Sequence, residues 1–130
     1  MNGHPDFHRI LDEMREVHER KSADYGTGED PFANVRASAQ WGIPAWVGTM
    51  IRATDKVIRL QSLYVKGSLQ NESARDSLID LASYAIIALI LMDEENEQKE
   101  MAVLRQLFEA KSYPDKVYDW ADDIDDDGMC

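Results

Sequence analysis

Apolar residues recur along this chain at helical spacing, and nowhere do they alternate with polar ones at the two-residue step of a strand. Over residues 6–20, Phe7, Ile10, Leu11, Met14 and Val17 fall on one face, which predicts an amphipathic helix. The polar stretch KSADYGTGED, with its two glycines, then reads as a loop. Asp30 is placed to cap a short helix, with Pro31 at its first position and Gly42 just past its end. Pro44 opens a third helix and Gly67 closes it. Met50, Ala53, Val57, Leu60 and Tyr64 give that helix an apolar face, which Ile51, Ile58 and Val65 widen. Asn71 is placed to cap a fourth helix running to about Asn96, and from Leu81 to Met92 this helix is apolar all round, as a buried helix is. A fifth follows through about Lys111, with Met101, Leu104, Leu107 and Phe108 turned inward. The pattern predicts an all-α antiparallel bundle of about five helices, its long members at about 44–66 and 72–95 packed around the Gly67–Gln70 turn.

Two adjacent helices with so much apolar circumference are hard to cover within one small chain, so the pattern also predicts a homodimer or homotetramer. A length of 130 residues suits one domain, placed at 1–112. Residues 113–130 form an acidic tail in which Asp119, Asp122, Asp123, Asp125, Asp126 and Asp127 crowd together, the mark of a solvated, disordered end. That run lacks the glycine and glutamate spacing of a calcium loop. The net charge of −11 argues against general nucleic-acid binding. The single cysteine, Cys130, excludes a disulfide framework or a cysteine zinc site within the chain. The start of the chain is polar, with no signal-peptide pattern, and the Leu81–Met92 run is too short to span a bilayer. The expected setting is soluble and cytoplasmic.

Candidate chemistry lies in two charged stripes set in these apolar helices. Glu72, Asp76 and Asp80 follow at four-residue steps, one helical turn each. Arg52, Asp55, Lys56 and Arg59 share one face of the preceding helix. Carboxylates entering apolar surroundings need a positive partner. One reading places a divalent ion on Asp76 and Asp80, with Glu72 and Asp55 as further ligands, and an anion on Lys56 and Arg59. The other pairs Asp76 and Asp80 with Arg52 and Arg59 in a structural network, leaving Glu72 to favour the helix dipole and Asp55 to orient Lys56. Lys21, Asp24 and Tyr25 suit a lid over a site, or a local turn held by the aspartate. Asn34 is placed either to hydrogen-bond a ligand or to face solvent. Trp41 and Trp46 read as core or subunit interface, and His18 as a surface residue.

The ordered series Lys21-x-x-Asp24-Tyr25-Gly26, Asp30-Pro31-Phe32-x-Asn34, Asp55-Lys56-x-x-Arg59-Leu60 and Asp76-Ser77-x-x-Asp80-Leu81-Ala82-x-Tyr84 resembles small phage and prophage proteins. These look like relatives of the all-α nucleoside triphosphate pyrophosphohydrolases, the MazG and dimeric dUTPase superfamily, and the resemblance covers roughly residues 8–95. It implies an oligomeric helical bundle that cleaves a (deoxy)nucleoside triphosphate to the monophosphate and pyrophosphate with Mg2+ (or Mn2+). Carried onto this chain, it assigns Asp76, Asp80 and Lys56 to catalysis, and Asp76, Asp80, Glu72 and Asp55 to the metal. Arg59, Arg52, Lys21, Asp24, Tyr25 and Asn34 are left to bind substrate. The chain departs from the superfamily pattern at two points. The Glu-Glu-x-x-Glu motif is absent, with only Asp55 on the corresponding helix, and the second acidic motif stands as Asp76-x-x-x-Asp80. A chain so altered also reads as a non-catalytic nucleotide-binding or regulatory module.

Overall fold

His4 starts the first helix: its Nδ1 accepts the Asp6 backbone N–H at 3.1 Å, and Pro5 takes the first helical position, where no N–H is needed. This computed structural model describes residues 2–26, 28, 30–69 and 72–112, all-helical in their regular structure with no strand. Helix α1 is Pro5–Tyr25, with Met14 buried on its inner face. It runs five residues beyond the expected end, so Lys21, Asp24 and Tyr25 belong to a helix and not to a loop. Nothing in KSADY interrupts helical hydrogen bonding, and the turn ends only at Gly26, whose N–H donates to the Ser22 carbonyl at 3.0 Å.

Helix α2, Ala33–Arg36, passes directly into a 3-10 helix, Ala37–Trp41, that stops at Gly42. Asp30 does not cap α2. Its Oδ1 accepts the Phe32 N–H at 3.0 Å and sets the turn that precedes the helix. Helix α3, Ala45–Lys66, begins after Pro44 and ends at Gly67, where a φ of 79° gives the left-handed conformation that glycine adopts without strain. The 3-10 helix lies so close to α3 that a Cβ at Gly48 would fall 2.5 Å from the Ser38 Cβ.

Helix α4, Ala74–Ser112, replaces the expected fourth and fifth helices with one element of 39 residues. The DEENEQKE stretch is polar, but Glu, Gln and Lys are strong helix formers and no glycine or proline interrupts them. Its cap is Ser73, whose Oγ accepts the Asp76 N–H at 3.0 Å and whose carbonyl accepts the Ser77 N–H. The expected cap, Asn71, lies outside the described residues, and Glu72 precedes the helix.

The chain divides into two compact units, residues 1–94 and 95–130. The first has a small core of Met14, Val35, Ala53, Ile79, Ala88 and Leu91. The expectation that α3 and α4 are mostly interior is not met within one chain: Ile51, Ile58, Val65, Leu78 and Leu89 are all more than half exposed. In the second unit the described stretch 95–112 is helical, with Met101, Leu104 and Leu107 exposed and Lys99 paired to Glu95. The acidic tail, 113–130, lies outside the described residues. Among the described residues, no helix is long and apolar enough to cross a membrane.

Candidate functional site

Asp80 is the centre of the site because α4 carries it inward to meet polar groups from two other helices. Its neighbours Ser77 and Ile79 are buried and its own side chain is only 12 % exposed. An isolated carboxylate there would be costly, and two ammonium groups meet it. Lys21 of α1 donates to Oδ1 at 2.7 Å, and Lys56 of α3 reaches Oδ2 at 3.0 Å. Lys56 also donates to Glu72 at 2.9 Å, and Ser77 Oγ donates to the other Glu72 oxygen at 2.5 Å. Arg59 stands 3.7 Å from Glu72 on its outer side.

These contacts fix the protonation states. Burial alone would push Asp80 upward, but hydrogen bonds from Lys21 and Lys56 outweigh it and hold the carboxyl below the ordinary carboxylate range. Burial likewise opposes the charge on Lys56, and its bonds to Glu72 and Asp80 overcome that and raise it. Glu72 is held low by the Ser77 hydroxyl and then by Lys56. A carboxylate held so firmly ionised is a poor general base. In the fold Asp80 is bonded to the ammonium groups of Lys21 and Lys56.

Those cations open onto a cavity of about 320 Å³. Helix α1 contributes His18, Lys21 and Ser22, which share a face by their spacing; α3 contributes Arg52 and Lys56, one turn apart. Asp80, Ser83 and Tyr84 of α4 and the Phe32 and Asn34 side chains complete the polar and aromatic wall. Arg52 lines the cavity and makes no ion pair among the described residues. Three cations (Lys21, Arg52, Lys56) against one carboxylate (Asp80) leave a formal excess of two positive charges at the wall, since Glu72 and Arg59 behind it cancel. That is the electrostatics of an anion receptor.

Of the residues expected at a site, Lys21, Asn34, Arg52, Lys56 and Asp80 therefore meet at one cavity, with Glu72 and Arg59 behind Lys56. Asp24, Asp55 and Asp76 are exposed and do not line it, and the Tyr25 side chain falls outside what the structure describes. The acids do not act as one stripe: Glu72 is not helical, and Asp76, in the first turn of α4, is exposed and does not line the cavity. The partners of Asp80 are Lys21 and Lys56, not Arg52 or Arg59. His18, Ser22, Phe32, Ser83 and Tyr84 join the lining without having been singled out as site residues; the i, i+3, i+4 spacing of His18, Lys21 and Ser22 was the signal available.

A divalent ion needs several oxygen ligands at once. Both Asp80 oxygens accept from ammonium groups, and among the described residues no three carboxylate, imidazole or thiol side chains gather as a metal site. As arranged in one chain, the expected set of Asp76, Asp80, Glu72 and Asp55 does not fit a metal.

The chain matches no family model, no curated protein and no solved structure.

Proposed function

We propose that the cavity binds the phosphates of a nucleoside triphosphate and that the protein is a nucleoside triphosphate pyrophosphohydrolase of the MazG and dimeric dUTPase type, acting in phage nucleotide metabolism. One observation carries the reading. The four separate motifs on which the resemblance rests send residues to a single cavity: Lys21, then Phe32 and Asn34, then Lys56, then Asp80 and Tyr84. Lys21 and Lys56 supply point charges to phosphate oxygens and Arg52 a bidentate fork. Their effect on the reaction is electrostatic, since charge held in place costs no reorganisation when the phosphorus is attacked. Apolar residues left exposed on α3 and α4 support a homodimer or homotetramer.

The resemblance implies Mg2+ or Mn2+, whereas the donor groups of a single chain do not gather for one. That observation, with both Asp80 oxygens held by lysines, favours a second reading: a nucleotide-binding or regulatory module without chemistry. A panel of ribo- and deoxynucleoside triphosphates, with and without magnesium or manganese, separates the two when pyrophosphate release and thermal stabilisation are read together. Turnover that Lys21→Gln slows at least about tenfold, the loss of one charge-assisted bond, supports the hydrolase. Stabilisation without turnover supports the module, and neither response with any nucleotide refutes both.

A further inference from the structure

A second cavity, of about 230 Å³, adjoins the cationic one and has the opposite chemistry. Leu11 and Met14 of α1 face Ile86 and Ile90 of α4 across it, each pair lying on one helical face. Four residues belong to both cavities: His18, Phe32, Ser83 and Ile87. The partition between them is aromatic, for the His18 and Phe32 rings lie 5.7 Å apart, tilted by 37°. The charged groups Lys21, Arg52, Lys56 and Asp80 stop at this partition, and beyond it only Arg15 carries a charge.

We infer that the two cavities are one binding site for an amphipathic anion, with polyphosphate in the cationic chamber and a flat heterocycle in the apolar one. The cationic cavity alone sits at the small end of the range for ligand pockets, and the two together fall well within it. This assignment rests on the nucleotide reading and deepens it: the heterocycle is a nucleobase, held by stacking on Phe32 and by aliphatic packing. Its edge meets few hydrogen-bonding groups, so the pocket selects by shape. A wall of this kind distinguishes ligands of different size but rejects an isosteric base weakly. Polar specificity, where present, falls to Ser83 and His18 at the partition.

The test is titration calorimetry of the full chain with inorganic tripolyphosphate and with purine and pyrimidine nucleoside triphosphates. Ile90→Trp and Leu11→Trp fill the apolar chamber from opposite helices at positions that are partly exposed, so the fold is expected to tolerate at least one of them. In the wild type the nucleotides bind about ten- to a hundredfold tighter than tripolyphosphate, the contribution of one buried ring. In either folded variant that advantage disappears while tripolyphosphate binding is unchanged. Equal affinity of nucleotide and tripolyphosphate in the wild type overturns the two-chamber site and leaves the phosphate site standing. An undiminished nucleotide advantage in both folded variants overturns it as well. Absence of binding by every probe refutes the nucleotide reading itself.

Discussion

Two charge clusters in residues 1–94 are built to the same plan with opposite signs. At Asp80 one carboxylate lies between two cations, Lys21 and Lys56. At Arg36 one cation lies between two carboxylates, with Nε 2.6 Å from Asp30 and Nη1 2.8 Å from Glu94. The Arg36 trio is about a third exposed throughout, whereas Asp80 and Lys56 are 12 % and 16 % exposed. The clusters also differ in what they face. The Asp80 cluster borders a cavity with cationic charge in excess, whereas Arg36 belongs to neither cavity described above. An ion pair seen in isolation says little about role; the sign of the surplus charge and the space it faces say more.

The largest effect expected from breaking this comparison is on stability at Asp80. Asp80→Asn leaves Lys21 and Lys56 without their shared carboxylate, but Lys56 keeps Glu72 and Lys21 is half exposed. The cost is therefore at the lower end of the usual range for breaking a buried pair, about 3 kcal/mol, by denaturant unfolding. The same change should strengthen tripolyphosphate binding, because it removes the one negative group at the cavity wall. A loss under about 1 kcal/mol would make the two clusters alike and remove the contrast.

Acid provides the next test. Asp80 and Glu72 are both held below their ordinary values in the fold. The stability they contribute is thus full above the normal carboxylate range, near pH 4, and is lost as pH falls through their lower folded values. Melting temperature should hold from neutral pH to about 4.5 and drop below about 4, and in Asp80→Asn the drop should be shallower. An equally steep drop in the variant would assign acid sensitivity to other carboxylates, of which Asp30 and Glu13 are also held low, first by the Phe32 N–H and the Arg75 side chain respectively.

The smallest effect belongs to Arg36. Its bond to Glu94 is the main reason its charge is favoured, but Arg36 and both its partners are wetted by solvent. Arg36→Gln should cost no more than about 1 kcal/mol in thermal denaturation and leave anion binding unchanged. A loss matching that of Asp80→Asn would show that exposure does not rank the clusters.

What could be read from the sequence follows the reach of each signal. Gly42, Pro44 and Gly67 act locally, and the helix boundaries they mark stand where expected. The continuity of α4 is hidden because Glu, Gln and Lys are polar yet strong helix formers, and the end of α1 because KSADY is polar yet holds no glycine or proline to stop the helix. At the site, Lys56 and Asp80 stood out as charges embedded in apolar helices. Lys21 was legible only as part of a motif, since its contact with Asp80 spans 59 residues and no local period encodes such a meeting. Asp76 keeps the four-residue step to Asp80 but sits in the exposed first turn of α4, and spacing alone does not show where the helix enters the core.

The close approach of Gly48 to Ser38 ties the history of two positions together. A methyl group gained at 48 would meet the Ser38 side chain and not open space, so it is tolerated only if position 38 gives up volume in the same lineage. Arg52 lies one helical turn beyond Gly48 and lines the cavity, and Val35, whose carbonyl accepts the Ser38 hydroxyl, lines it too. Drift at this pair would be felt at the cavity wall, so a side chain at position 48 is expected only where position 38 has lost its own.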